Sequence, residues 1–315
     1  MTVWLVSATV ALSVFAVVAA AGSTLVTGVV RTITRCCEGR SPAACAAALF
    51  RLRMLPGVLA AVIAFAVVLP TFLAYEPPNT EEPLPITVVL LAVVGSALLL
   101  RGAARAARAW TATRNVMRDW RLRGRRIDAF DTALPLFAID EAFPTVAVVG
   151  VTRPALFIAE RVLRECGDDE VRAMLQHECA HVATRDNLKR FLMRACPDFV
   201  GGELERAWAR AAEEAADAAV VQHDPGFAVE LAQALIHVAR LAPAPEAPAL
   251  ASAFYLGGSI ESRVRRLVQP APTQERTPEF SSHRLAIVVL AAAACALAAA
   301  PSLHHAIETA VHSLP

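Results

Sequence analysis

The sequence lacks most of the features that identify nucleic-acid-binding and disulfide-stabilised proteins. Among its 315 residues Lys189 is the only lysine, no long basic run occurs, and the formal net charge is +1. This balance argues against direct binding of nucleic acid. The seven cysteines are scattered and form no CxxC pair, which predicts reduced, mostly buried thiols rather than a disulfide framework.

Charge is absent from the first 30 residues, and 56% of the chain is hydrophobic, which indicates contact with lipid. Apolar runs of membrane-spanning length predict four transmembrane helices, at about residues 3–30, 54–75, 84–104 and 284–303. The first could imitate a signal peptide, but it lacks a basic start and is long, so we interpret it as an anchor. Residues 304–315 would form a short extracytoplasmic tail.

The distribution of arginine predicts the orientation of these helices. The short segment between the second and third spans contains Glu76, Glu81 and Glu82 and no basic residue. The segment between the first and second spans contains five arginines, namely Arg31, Arg35, Arg40, Arg51 and Arg53. Basic loops stay in the cytosol, so we expect the polar residues 105–283 there and both termini outside.

The polar segment predicts a mixed α+β domain, so the fold class is a mainly α membrane protein with an α+β cytosolic domain between the third and fourth spans. The third span should continue as a helix through the Ala/Arg-rich residues 101–126, and residues 137–159 indicate two strands and a turn. Such a strand could hold an extended substrate at its free edge, or merely cover the helices. Helices follow at about 168–184, 203–222 and 227–240; His237, on the last, is interpreted as a packing residue.

The segment LQHECAHVATRD contains two histidines four residues apart. On a helix, His177 and His181 lie on one face and can direct imidazole nitrogens at the same ion, whereas Glu178 can reach a water molecule at the metal. This spacing is typical of HExxH zinc hydrolases, in which the glutamate acts as general base.

A third ligand is available in the segment EEAAD on the next long helix. Glu213 and Asp217 are again four residues apart, so one can bind zinc while the other orients a ligand histidine; Glu214 points away and should be solvated. Two histidines and a glutamate leave the fourth zinc position open, as in catalytic sites. The sequence therefore predicts one catalytic zinc ion held by His177, His181 and Glu213.

Other polar residues near these motifs have two interpretations. Arg185, Asp186 and Asn187 could brace the site or cap the end of the helix. His223 could stabilise an oxyanion, although a loop histidine beside Asp-Pro-Gly is more often an exposed polar residue without a catalytic role. Cys179 lies inside the HExxH motif at a variable position and is expected to pack.

The segments HECAHVATRD and ERAWARAAEEAAD, placed between a third and a fourth span, resemble the BlaR/MecR-type antirepressor metalloproteases. The resemblance implies a gluzincin-like cytosolic protease domain, zinc ligands His177, His181 and Glu213, Glu178 as general base, and a DNA-binding repressor as substrate. The large extracellular penicillin-binding sensor of classical members has no counterpart in the short tail. The ExxAD motif is shared with HtpX-like membrane proteases.

The sequence thus favours a membrane-embedded zinc endopeptidase of a bacterial cell membrane, with its active site facing the cytoplasm. Its expected partners are the bilayer and a cytosolic or membrane-associated protein, in the first instance a transcriptional repressor; homo-oligomerisation is left open. Two alternatives remain. One is an HtpX-like quality-control protease, and the other is a non-catalytic membrane signalling or scaffold protein.

Overall fold

In a computed structural model of the chain, residues 3–37, 40–75, 84–200, 202–241, 260–269 and 309 are described. Within these ranges the protein is mostly helical, with one four-stranded sheet. Three helical stretches are long and apolar enough to cross a membrane, namely Val3–Val30, Pro42–Tyr75 and Ile86–Arg123. The predicted fourth span and the tail after it lie outside the described residues, apart from residue 309.

The first candidate span, Val3–Val30, coincides with the predicted one, whereas the second begins earlier than predicted. Helix α1 covers Val3–Cys37; the second stretch consists of α2 (Pro42–Ala61), a π-helical segment (Val62–Val68) and α3 (Leu69–Tyr75). The expected start at residue 54 was wrong because Arg51 and Arg53 interrupt the apolar run without interrupting the helix. Ser41 caps α2 by accepting a hydrogen bond from the Ala44 N–H, and the helix begins at Pro42, where a missing N–H costs nothing.

Helix α4, Ile86–Arg123, confirms that the helix of the third candidate span continues through the Ala/Arg-rich residues. Its first half exposes large apolar side chains, including Leu90, Val93 and Leu100, as expected for contact with lipid. At 38 residues it is about 57 Å long, nearly twice the ~30 Å of a hydrocarbon core. Its second half therefore projects into the polar part of the protein.

The sheet has three strands where two were expected within residues 137–159, and one more before them. Strands β1 (Arg125–Ile127), β2 (Leu136–Ile139), β3 (Val146–Val149) and β4 (Ala155–Ala159) are arranged in the order β1-β2-β4-β3. Strands β2 and β4 are parallel, and both outer pairs are antiparallel. Strand β3 is thus an edge strand.

Both faces of the central strand β4 are covered, which explains its uniformly apolar sequence ALFIA. One face packs on the second half of α4, where Trp120 lies 5.2 Å from the ring centroid of Phe157. The other face, including Leu156 and Ile158, packs on the helices that follow. The sheet therefore fixes the position of α4 relative to the rest of the domain.

Six helices follow the sheet among the described residues. They are α5 (Glu160–Glu165), α6 (Asp168–Ala183), α7 (Asp186–Ala195), α8 (Gly202–His223), α9 (Phe227–Leu241) and α10 (Ile260–Val268). Helix α6 lies between β3, α8 and α9 and contributes Val171, Met174 and Leu175 to the main core. The expected helices are confirmed, whereas α7 was not predicted.

The apolar face of helix α8 packs against the membrane helices. Val26 of α1 and Leu49 of α2 belong to the same buried cluster as Leu204 and Trp208 of α8. Arg53 of α2 is completely buried and pairs with Asp198, with Glu205 at 3.0 Å and with the carbonyl oxygen of Met193 at 3.0 Å. Arg53, which was expected in a loop between two spans, instead lies inside the protein and links α2 to the domain through these contacts.

Candidate active site

Helix α6 places His177 and His181 one turn apart on a buried face. Their Nε2 atoms are 3.2 Å apart. The Nδ1 atom of His177 lies 3.0 Å from Asp217 Oδ1, and that of His181 lies 2.8 Å from Asp186 Oδ2. A carboxylate at Nδ1 fixes the proton there, so both Nε2 atoms present a lone pair to the same point.

Glu213 from the neighbouring helix α8 completes this cluster. Its Oε2 is 3.3 Å from His177 Nε2, and its Oε1 is 3.6 Å from His181 Nε2. One donor atom from each of these three buried residues lies within 4.8 Å of the others. Two imidazole nitrogens and a carboxylate oxygen converge as the ligands of a catalytic zinc do.

The donor set fits a divalent cation on electrostatic grounds. Two Nε2 lone pairs and a carboxylate directed at one point would repel each other unless a proton or a metal ion lay between them. Burial lowers the pKa of His181, but hydrogen bonds to Asp186 and Glu213 outweigh it and raise that pKa to about 10. Burial likewise raises the pKa of Glu213, yet its hydrogen bonds to His177 and His181 hold it well below the ordinary value. The cluster therefore attracts positive charge, and zinc is the metal that its ligands suit.

Glu178 lies beside these ligands and contacts the edge strand β3. Its Oε2 accepts a hydrogen bond of 2.8 Å from the Val148 N–H, and the side chain is 3% exposed. Burial raises the pKa of Glu178, partly opposed by His181 and His177. A carboxylate with a raised pKa can take and return a proton near neutral pH, which is the requirement for a general base.

The residues after the motif brace the site rather than simply cap its helix. Arg185 adopts a left-handed conformation with φ of 56°, which ends α6 and turns the chain into α7. Asp186, the first residue of α7, then reaches back to His181. The Asn187 side-chain amide donates to the carbonyl oxygens of Val148 and Gly150, at 3.1 Å each, and so ties β3 to α7.

Arg263 on α10 is a site residue that the sequence did not reveal. Its side chain is 1% exposed and donates two hydrogen bonds to Asp217, of 2.8 and 2.6 Å. Its Nη1 is 3.3 Å from Glu213 Oε2. The pKa of Asp217 would be raised by burial, but Arg263 lowers it to about 2. Arg263 therefore keeps the carboxylate behind His177 ionised. The only signal was a basic SRVRRLV segment, in which three arginines look alike.

A cleft of about 510 Å³ opens beside the cluster, between the second half of α4 on one side and β3 and α7 on the other. Glu178 and His181 line it, together with Arg190 of α7. The Arg190 guanidinium packs over the Trp208 ring, 5.5 Å from its centroid, and its Nη2 is 3.5 Å from Glu213 Oε1. The cleft thus brings a basic group close to the metal ligands.

The remaining candidates lie outside the cluster. His223 is exposed at the end of α8, and Cys179 is half-buried against the main core. Glu214 is not free in solvent as expected, because it pairs with Arg266. His237 is not a packing residue: its side chain is 46% exposed and pairs with Glu170 at 3.0 Å.

Residues 146–283 match the sequence profile of peptidase family M48. The matched segment includes β3, the cluster of His177, His181 and Glu213, and Arg263, and it follows the three candidate membrane spans. No curated protein and no solved structure matches the chain. The match supports a metallopeptidase of this family associated with a membrane, and peptidases of the family are generally zinc-dependent.

Proposed function

We propose that this protein is a zinc-dependent endopeptidase of a bacterial cell membrane that cleaves a cytosolic or membrane-associated protein at the cytoplasmic surface. The observation that carries the proposal is the convergence of His177, His181 and Glu213 at one point, with Glu178 beside them in an open cleft. A structural zinc site would use all its ligand positions and would not need a carboxylic acid facing a cleft.

In the proposed hydrolysis of a peptide bond, the zinc ion and the side chains of the protein have separate roles. Zinc, held by His177, His181 and Glu213, would supply a Lewis acid for the scissile carbonyl and lower the pKa of a water molecule. Glu178 takes the proton from the attacking water and delivers it to the leaving amine. Asp217 and Asp186 keep the two histidines in the tautomer that leaves Nε2 free.

The edge strand β3 supplies a surface for an extended substrate backbone. Its Val148 N–H and C=O point away from β4, towards Glu178 and Asn187. A peptide that added to this edge would run through the cleft beside Glu178. The peptide would compete with Glu178 for the Val148 N–H and with Asn187 for the Val148 C=O. Peptide binding would therefore release the Glu178 carboxylate from its hydrogen bond.

The cytoplasmic orientation is supported by the arrangement around Arg53. The start of α2 packs on α8, so the connection between α1 and α2 lies on the same side of the membrane helices as the cleft. That connection and its flanking turns are rich in arginine, and basic connections remain in the cytosol. The active site would therefore face the cytoplasm.

Two kinds of substrate are consistent with this site. Regulated cleavage of a DNA-binding transcriptional repressor is supported by the resemblance of HECAHVATRD and EEAAD to the antirepressor proteases. Quality control of membrane proteins is supported by the cleft itself, because one of its walls is α4, the continuation of a candidate membrane span. Both use the same catalytic residues.

The test of the activity is Glu178→Gln in the full chain, purified in detergent. Loss of the general base should lower cleavage of an unfolded protein such as casein by about 10²- to 10⁴-fold while the zinc content stays that of the wild type. Glu214→Gln, the same chemical change at a partly exposed position outside the cleft, should leave both unchanged. Full activity in the Glu178→Gln protein would falsify the assignment.

The inactive Glu178→Gln protein also distinguishes the substrates. Retention of one DNA-binding protein by this variant would favour regulated proteolysis, whereas a mixture of damaged membrane proteins would favour quality control. Zinc in the wild type with no cleavage of any protein would return the molecule to the scaffold interpretation.

A further inference from the structure

A second group of metal-binding side chains lies at the opposite end of α6 from the catalytic cluster. Cys166 Sγ, a carboxylate oxygen of Glu170 and a ring nitrogen of His237 all lie within 4.8 Å of one another. Cys166 follows α5, Glu170 is in the first turn of α6, and His237 is on α9. The three donors thus come from three separate segments.

The backbone that carries these donors is fixed by packing. The Cys166 N–H donates to the carbonyl oxygen of Val162 at 2.9 Å, and the Gly167 N–H donates to Glu170 Oε2 at 2.9 Å. Helix α9 packs on α6 through the main core, to which the neighbours of His237 on the same helix, Ala234 and Val238, belong. The donors are therefore brought together by the folded core and not by mobile surface chains.

The burial of the group suits a metal ion better than a simple ion pair. Glu170 and His237 already form an ion pair, with Nδ1 3.0 Å from Oε1 and 3.1 Å from Oε2. Cys166 is only 8% exposed and belongs to the main core, with its Sγ within 4.8 Å of a carboxylate oxygen of Glu170. A cation at this point would offset the negative charge and stabilise the thiolate.

The donor types indicate which metal would bind. A thiolate, an imidazole and a carboxylate suit zinc and related transition metals, whereas Mg²⁺ and Ca²⁺ prefer oxygen ligands alone. The His237 side chain is 46% exposed, so a fourth ligand position is open to water. Because α6 rises about 1.5 Å per residue, the seven residues from Glu170 to His177 place this group about 10 Å along the helix from the catalytic cluster.

We propose that Cys166, Glu170 and His237 form a second divalent-metal site of the zinc type, which fastens α9 and the end of α5 to the first turn of α6. The metal stabilises the helix that carries His177 and His181. The proposal does not depend on the proposed peptidase activity, because its ligands and its test are separate from the cleft.

Cobalt provides the sharpest test, because a cysteine ligand gives a near-ultraviolet thiolate-to-cobalt charge-transfer band and the catalytic cluster contains no cysteine. The full-length protein, purified in detergent under reducing conditions, is loaded with Co²⁺. We expect the band in the wild type, its loss in Cys166→Ser and its retention in Cys179→Ser, a matched control that packs against the same core. Bound metal should fall from about two to about one per chain in Cys166→Ser.

His237→Ala is the second variant, because a half-exposed side chain can be removed without disturbing the core. It should also lose one bound metal and should unfold at a lower temperature than the wild type when zinc is present, but not after chelation. A metal content that is unchanged in Cys166→Ser and His237→Ala would overturn the proposal. So would a charge-transfer band that survives Cys166→Ser; in either case Glu170 and His237 form only an ion pair.

Discussion

Each histidine of the candidate zinc cluster has its own carboxylate, and this pairing decides which ring nitrogen faces Glu213. Asp217 on α8 contacts Nδ1 of His177, and Asp186 at the start of α7 contacts Nδ1 of His181. The two carboxylates are themselves held, Asp217 by Arg263 and Asp186 by Lys189 at 3.1 Å. The only lysine of the chain thus supports a residue that orients a ligand.

Replacing Asp217 by Asn should weaken zinc binding by about 10- to 100-fold, because the amide orients His177 less well and leaves Glu213 as the remaining anionic partner of buried Arg263. Zinc affinity is measured by competition with a chromophoric chelator. Glu214→Gln, on the same helix and paired with Arg266, should bind zinc as the wild type does. An equal loss in both variants would contradict a specific role for Asp217.

At this scale, the i and i+4 spacing predicted that His177 and His181 share a helix face, whereas their meeting with Glu213 depends on the packing of α6 on α8. Arg263 was not predictable, because its partner Asp217 is 46 residues away and the contact arises from the packing of α10 on α8. His237 was misread for a related reason. Its helix is apolar, but the position it occupies opens to solvent beside Glu170.

Close helix contacts determine the geometry of the cleft at the scale of elements. A Cβ atom added to Gly102 of α4 would lie 2.6 Å from the carbonyl oxygen of Ala195, at the end of α7. Gly95 is similarly restricted by the Leu12 carbonyl oxygen of α1. Glycine at these positions lets α4 approach its neighbours at backbone distance.

Gly102→Ala should push α4 away from α7 and lower proteolytic activity, because these two helices form facing walls of the cleft. It should also lower the thermal unfolding midpoint. Gly28→Ala in α1 is the control, since nothing lies within 4 Å of its added methyl group, and helix propensity alone would make it neutral or slightly stabilising. Equal activity in both variants would show that the approach of α4 to α7 is unimportant.

The long helices were predictable from their apolar runs and helical periodicity, whereas shorter elements were not. Helix α7 was missed because its start depends on the left-handed backbone of Arg185, for which the sequence offers no glycine. The third strand was missed because β2 and β3 contain only four residues each, too few for an alternation to be distinct. The start of α2 was not predictable from hydropathy, because Arg53 is charged but lies buried within the helix.

The whole molecule is held together by a core that crosses from the membrane helices into the domain. Apolar side chains of α1 and α2 pack directly on α8, the helix that carries Glu213. Arg53 of α2, whose side chain is fully buried, pairs with Asp198 and Glu205 of the domain. The domain is therefore not an independent unit attached by a linker.

Arg53→Met should destabilise the entire protein by about 3–5 kcal/mol, because it leaves the buried carboxylate of Asp198 without its positive partner. Arg51→Met, on the same helix and only half-buried, should cost much less. Both are measured by denaturant unfolding in detergent, with zinc loss followed in parallel. If Arg53→Met unfolds only the membrane helices and leaves zinc bound, the shared core does not couple the two parts.

The dimensions of α4 have a mechanical consequence. The helix is one rod with an end among the candidate membrane spans and an end in the wall of the cleft. About 30 Å separates Gly102 from Arg123, so a tilt of about 3° moves the far end by about 1.5 Å. A membrane-spanning helix whose apolar stretch does not match the thickness of the hydrocarbon core can respond by tilting. A change of bilayer thickness would thus alter the width of the cleft through α4, as a lever arm does.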